Sequence, residues 1–197
     1  FVLQPYNALS YSFFGYNLRH PFLADRRVRK AFTYALNRQE MLDSFFNGQG
    51  TVISGPFAPG SWAYNLDVAP LPFDPPAAAA LLKEAGFSPG PDGILQKAGK
   101  KLALTLKVPI EKESEAVKRV VLAFRNYLKN VGVDIKVEFQ EWQAWKEDVF
   151  FEHDFDIIFA TWVFDDSADI SSLFLTAEIG PWKNNFGGYS NPEVDGL

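Results

Sequence analysis

Leu102 to Phe139 reads LALTLKVPIEKESEAVKRVVLAFRNYLKNVGVDIKVEF, and its two changes of rhythm decide the fold. Leu102, Leu104, Leu106 and Val108 alternate with Ala103, Thr105 and Lys107, the period of a strand, and Pro109 closes the run. Val117, Val120, Val121, Phe124, Tyr127, Leu128 and Val131 then recur at helical spacing, with Lys118, Arg119, Arg125 and Lys129 on the wet side. Gly132 ends the helix. A second strand follows, in which Val133, Ile135, Val137 and Phe139 alternate with Asp134, Lys136 and Glu138.

Working outward, a shorter helix is expected around Glu141 to Phe151. Beyond it the apolar run Ile157 to Val163 reads as a strand covered on both faces. Strand, helix, strand, helix, strand makes two linked βαβ units, most simply with three parallel strands and right-handed crossovers. The expected fold class is therefore α/β, with a mostly parallel sheet flanked by helices. The carboxyl ends of parallel strands share one rim, where ligands of open α/β sheets sit. Three loops meet there: Pro109 to Glu113, Gln140 to Trp142, and Phe164 to Asp169. They offer Lys112, Trp142, Trp162 and Asp165 to a common space, with Phe164 and Asp166 beside Asp165. A competing role for Asp165 or Asp169 is to cap the short segment Ile170 to Leu175.

Upstream, Tyr11 to Leu18 is aromatic and fits a strand. Asp25 occupies an N-cap position before a helix carrying Val28, Phe32, Ala35 and Leu36, and Asn37 with Glu40 restarts a second helix that ends at Gly48. Residues 51–76 combine eight Pro and Gly residues with Trp62, Tyr64 and Phe73, which predicts an ordered irregular loop anchored by its aromatics. Asp74 caps a helix from Pro75 to Ala85, and SPGPDG (Ser88 to Gly93) opens a small hairpin.

A chain of 197 residues with 47% hydrophobic content can bury one substantial core, and 1–197 reads as a single domain. The net charge of −5 argues against a nucleic-acid partner, and Arg26, Arg27, Arg29 and Lys30 read as the solvated side of a helix. There is no cysteine, and His20 and His153 lie far apart, so no metal-ligand spacing exists; neither metal nor cofactor is expected. The sequence begins without methionine and ends in a turn-like SNPEVDGL, as a piece of a longer protein would.

Four blocks, NLRHPFLADRRVRKAFTYALNRQEML (Asn17 to Leu42), GQGTVISGPFAPGSWAYN (Gly48 to Asn65), FDPPAAAALLKEAGF (Phe73 to Phe87) and LKNVGVDIKVEFQEW (Leu128 to Trp142), resemble the extracellular solute-binding proteins of family 5. That family delivers dipeptides, oligopeptides, nickel chelates or oligosaccharides to ABC importers. The resemblance implies a periplasmic-binding-protein-like lobe, the third domain of a two-lobed protein whose N-terminal lobe is absent here. It also implies a periplasmic or extracellular location, free or lipid-anchored, and a membrane permease as partner. In peptide-binding members a tryptophan followed three residues later by an aspartate lies in the cleft, and the aspartate receives the ligand's free ammonium; Trp162 and Asp165 match this pattern. Lys112 is the nearest match to a basic residue that holds the peptide carboxylate in some members, and SADISS after Asp166 departs from the usual sequence of that wall.

Two functions from different classes follow. The first is a binding protein for peptides or, with Trp142 and Trp162 as stacking platforms, oligosaccharides. The second is a hydrolase using Asp165 and another carboxylate, for which nucleophile, histidine and metal set are all lacking. Trp145 and Trp182 read as packing residues.

Overall fold

The computed structural model describes residues 9–110, 115–163 and 169–197. Among them the main sheet has four strands, β1 (Ser10–Tyr16), β5 (Ala103–Pro109), β6 (Asp134–Gln140) and β7 (Ile157–Val163), in the order β1-β7-β5-β6. A separate three-stranded meander, β2 (Ser88–Pro89), β3 (Leu95–Lys97) and β4 (Lys100–Lys101), feeds the chain into β5. The expected parallel core holds: β5 pairs parallel with both β6 and β7, and β1 adds an antiparallel edge.

Register positions the site. β5 and β6 match over their whole length, from Ala103 opposite Asp134 to Pro109 opposite Gln140. β7 begins only opposite Leu106, so it projects past the end of β5 with β1 as its partner. Its first residues, Ile157 to Phe159, are buried as expected, but the projecting half alternates and Val163 is 76% exposed. The strand is therefore covered on both faces only where β5 lies beside it.

The helices are α1 (Arg26–Ala35), α2 (Arg38–Phe46), α3 (Pro75–Glu84), α4 (Glu115–Asn130), α5 (Trp142–Lys146), α6 (Ser171–Phe174) and α7 (Pro192–Asp195). The first three start where the sequence signals. Asp25 accepts from Arg27 N, Asn37 accepts from Glu40 N while its amide donates to Glu40 Oε2, and Asp74 accepts from Ala77 N before two prolines. α4 ends at Gly132, whose φ of +82° is left-handed and where a Cβ would sit 2.8 Å from Leu95. α5 runs on as a π-helical turn, Glu147–Glu152.

The two faces of the sheet are covered differently. Leu104, Leu106, Val108, Ile135, Ile157 and Phe159 pack beneath α1, α3 and α4 against Phe32, Leu82, Val121, Phe124 and Leu128. The opposite face carries a smaller cluster of Trp145, Val149, Phe155, Ile158 and Phe186, with Phe13, Phe150, Ala160 and Trp162 around it.

Two expectations are corrected. In the irregular loop Trp62 is 81% exposed, while Phe73 does anchor, its ring 5.8 Å from that of Tyr127; Arg38 also ties the loop down, donating to Ile53 O and Leu71 O. The basic run of α1 is not simply solvated. Arg27 donates to Glu84 O at 2.7 Å, satisfying a carbonyl left open at the end of α3, and Arg29 holds Leu23 O and Ala24 O in the turn before α1.

Candidate functional site

A cleft of about 440 Å³ opens at the carboxyl ends of β5, β6 and β7. Pro109 and Ile110 contribute one wall, Phe139 and Trp142 a second, and Ala160, Thr161 and Trp162 of the projecting β7 a third. Trp145, Phe150 and Phe186 form the floor, and Val117 and Lys118 from the first turn of α4 stand at its side. The offset of β7 is what makes the hollow: β5 stops, β7 continues, and no strand among the described residues fills the gap.

Trp142 and Trp162, from loops remote in sequence, do meet in this space. Trp142 is 48% exposed, so it is not buried packing; one face stacks on Trp145 with centroids 5.3 Å apart and planes 14° from parallel. Trp162 is half-buried, with its ring near parallel to those of Phe13 and Phe186, each 6.2 Å away. Trp145 is buried, as expected. Trp182 packs only in part: it is 53% exposed, with its ring 5.7 Å from that of Phe151.

Lys112, Phe164, Asp165 and Asp166 lie outside the described residues. Asp169 accepts from Ser171 N at 2.9 Å at the entry to α6, and these bonds hold its carboxyl below the ordinary carboxylate range. The N-cap of α6 is Ile170, with no side-chain cap bond, so Asp169 closes a local turn one residue before the cap rather than capping the helix. The charged residue among the described lining is Lys118, which the sequence placed only on the wet side of a helix; it pairs with Glu115 at 2.7 Å on the surface.

Beneath the floor is a polar cluster that alternation along β5 concealed. Lys107 belongs to the nominally polar half of the strand, yet its side chain is only 9% exposed. Its ammonium donates to Asp148 Oδ2 at 2.7 Å, to Asp154 Oδ2 at 3.1 Å and to Asp154 O, while Gln140 Nε2 also donates to Asp148 Oδ2. Burial alone would lower the Lys107 pKa, but Asp148 and Asp154 more than reverse that and raise it. Burial likewise pushes Asp148 upward, and the bonds from Lys107 and Gln140 bring its carboxyl below the ordinary value. The cluster joins the π-helical turn to the sheet. Trp145 Nε1 is seated on Lys107 O at 3.3 Å, so the same residue supports the tryptophan stack of the cleft.

Among the described residues no helix is long and apolar enough to cross a membrane, and no group of three or more His, Asp and Glu could hold a metal ion.

Comparison with known proteins agrees with this architecture. The family model described as bacterial extracellular solute-binding proteins, family 5 Middle, matches residues 2–183. The chain is 31% identical over 194 residues to the oligopeptide-binding protein AppA of Bacillus subtilis, an alignment covering 96% of this chain. It spans 35% of that relative's length. The structure of AppA in complex with a nonapeptide matches with a TM-score of 0.90 over 96% of this chain and 38% of the other. NikZ from Campylobacter jejuni, in complex with Ni(L-His), shares the fold at a TM-score of 0.84 and 23% identity, over 96% of this chain and 38% of that one. An 82-residue stretch is 38% identical to the dipeptide-binding protein of Escherichia coli, covering 42% of this chain and 15% of that protein. A family match over nearly the whole chain and a cleft at the carboxyl ends of its parallel strands lead to one conclusion: the chain belongs to the bacterial extracellular solute-binding proteins, family 5.

Proposed function

We propose that this chain is one lobe, the third domain, of the substrate-binding component of an ABC importer, and that the whole protein captures peptides by their free amino terminus. The observation that carries the reading is the aromatic cleft at the rim of β5, β6 and β7, with Trp162 three residues before Asp165. In this reading Trp142 and Trp162 contact the peptide, Asp165 receives its ammonium, and Phe164 and Asp166 shape the adjoining wall. Lys112 is the candidate for the peptide carboxylate. A second, N-terminal lobe closes over the ligand by a hinge motion, and the closed form docks on a membrane permease outside the cytoplasm, the protein being free or lipid-anchored.

A carboxylate facing an ammonium in a closed, water-poor cleft makes charge-assisted hydrogen bonds worth about 1.5–3 kcal/mol. A ligand without the amine leaves that carboxylate desolvated and unpaired, which is the source of selectivity. Catalysis is set aside, since the relatives are solute-binding proteins.

The test is mass spectrometry of the small molecules released on denaturing the full-length protein from its host. Short peptides with free amino termini are expected, and Asp165→Asn then weakens their binding roughly 10- to 150-fold by calorimetry. Oligosaccharides or an amine-free ligand would overturn the reading and recast the two tryptophans as sugar platforms. The isolated lobe should fold yet bind only weakly; micromolar affinity from it alone would contradict closure by a second lobe.

A further inference from the structure

Phe186 lies far in sequence from every strand of the cleft, yet its ring is 7% exposed and forms part of the floor. Its centroid is 5.3 Å from Phe150, 6.1 Å from Phe155 and 6.2 Å from Trp162. Its backbone is held by polar groups at the opposite end of the sheet from the rim. Arg19 Nη1 donates to Phe186 O at 2.8 Å and to Asn17 Oδ1 at 3.3 Å, and Leu18 N donates to Gly187 O at 2.8 Å. Asn17 is buried and spends both amide hydrogens on His153 O and Phe155 O, at 3.0 and 2.9 Å. The end of β1, the approach to β7 and the Phe186 segment thus meet at one amide and one guanidinium.

The far side of Phe186 is tied as well. Asn185, 2% exposed, donates to Leu175 O and Tyr189 O and accepts from Tyr189 N. Two glycines allow the close approach. A Cβ at Gly187 would lie 3.0 Å from Tyr16 O, and one at Gly188, where φ is +74°, would lie 3.0 Å from the Arg19 guanidinium.

We propose that Phe186 is a ligand-contacting, specificity-determining residue of the cleft floor, and that Arg19 is its positioning residue, setting the ring against Trp162 through the Phe186 carbonyl. The first half rests on the cleft being the peptide site. A ring placed by directional hydrogen bonds on its own backbone is preorganised in a way that packing alone does not provide. Arg19 is exposed, so its replacement removes the bonds without opening the core.

The experiment uses the full-length protein, the tripeptide Ala-Phe-Ala as calorimetric probe, and fluorine NMR of 5-fluorotryptophan with the Trp162 resonance assigned by Trp162→Phe. Phe186→Leu is expected to weaken the tripeptide about tenfold. Arg19→Met weakens it roughly two- to tenfold, as loss of a hydrogen bond does. Both shift the ligand-free Trp162 resonance, and Arg19→Lys, which keeps a donor for the carbonyl, moves it back toward wild type. An unchanged resonance and affinity in folded Arg19→Met overturns the positioning role; unchanged affinity in Phe186→Leu overturns the contact. Should Arg19→Met not fold, Arg19→Lys and Phe186→Leu decide by the same two readouts. If the wild-type protein ignores peptides altogether, the peptide reading and the ligand contact fail together, while the ligand-free resonance still decides whether Arg19 positions Phe186.

Discussion

The two faces of the sheet divide the work. The face beneath α1, α3 and α4 is closed over an apolar core, with Leu106, Val108, Val121, Phe124 and Leu128 all at 0% exposure. The other is incompletely covered: a short helix, a π-helical turn and an irregular segment leave Trp142 at 48% exposed, and at the rim beside it Ile110 and Phe139 are 47% and 41% exposed. It also holds the buried Lys107 cluster. Full burial on one side holds the sheet together, and this leaves the other free to present an unfilled apolar hollow. Large exposed apolar groups gathered at one place mark a binding surface more often than a defect.

This contrast can be broken by three substitutions. The largest effect belongs to the closed face. Phe124, fully buried and stacked on Phe14 with centroids 3.9 Å apart, should cost about 3–5 kcal/mol on change to Ala, read from urea denaturation. A loss under about 1 kcal/mol would show that this face is not the stabilising one.

Lys107→Met on the open face comes next. It leaves the part-buried Asp148 without its ammonium and should cost about 2–4 kcal/mol, below a fully buried pair because Asp148 is 26% and Asp154 80% exposed. The pH dependence supplies the sign. Asp148 titrates below its ordinary 3.8 in the folded protein, so its contribution is complete above that value and is lost as pH falls through the folded one. Lys107 titrates above its ordinary 10.5, so its contribution is complete below that value and is lost as pH rises through the folded one. Stability curves of wild type and Lys107→Met should therefore differ most across the interval between them and converge in acid and in strong base; parallel curves would show that the cluster contributes no pH-dependent stability.

The smallest effect on stability sharpens the comparison. Trp142→Ala removes a half-exposed ring from the stack on Trp145 and should cost about 1 kcal/mol. In the full-length protein it should nonetheless weaken ligand binding. A thermal shift as large as that of Phe124→Ala would make Trp142 a packing residue after all.

Much of this was legible in the residues. Alternation in Leu102 to Val108 and Val133 to Phe139, the helical spacing between them and the apolar run from Ile157 sufficed for the parallel core and for the rim where Trp142 and Trp162 meet. Three features were not. The burial of Lys107 is not readable from alternation, because a period of two states which residues share a side but not what covers it. Phe186 carried no periodic signal, lying in a segment stapled by side chain to backbone bonds rather than by a helix or strand. Trp62, expected as a loop anchor, and Trp182, expected as packing, are 81% and 53% exposed, since residue type alone does not say which side of a turn is covered.

What the sequence determined by itself is local and periodic: element types, their capping residues Asp25, Asn37 and Asp74, and through the βαβ order the parallel strand directions. These follow from backbone sterics and hydrogen bonding within a few residues, which each stretch of chain carries with it. Only the tertiary structure decided the offset of β7 against β5, the cover over Lys107 and the seating of Phe186 beneath Trp162. Each depends on contacts between residues dozens of positions apart, where packing and polar satisfaction of the whole molecule, not local preference, set the outcome.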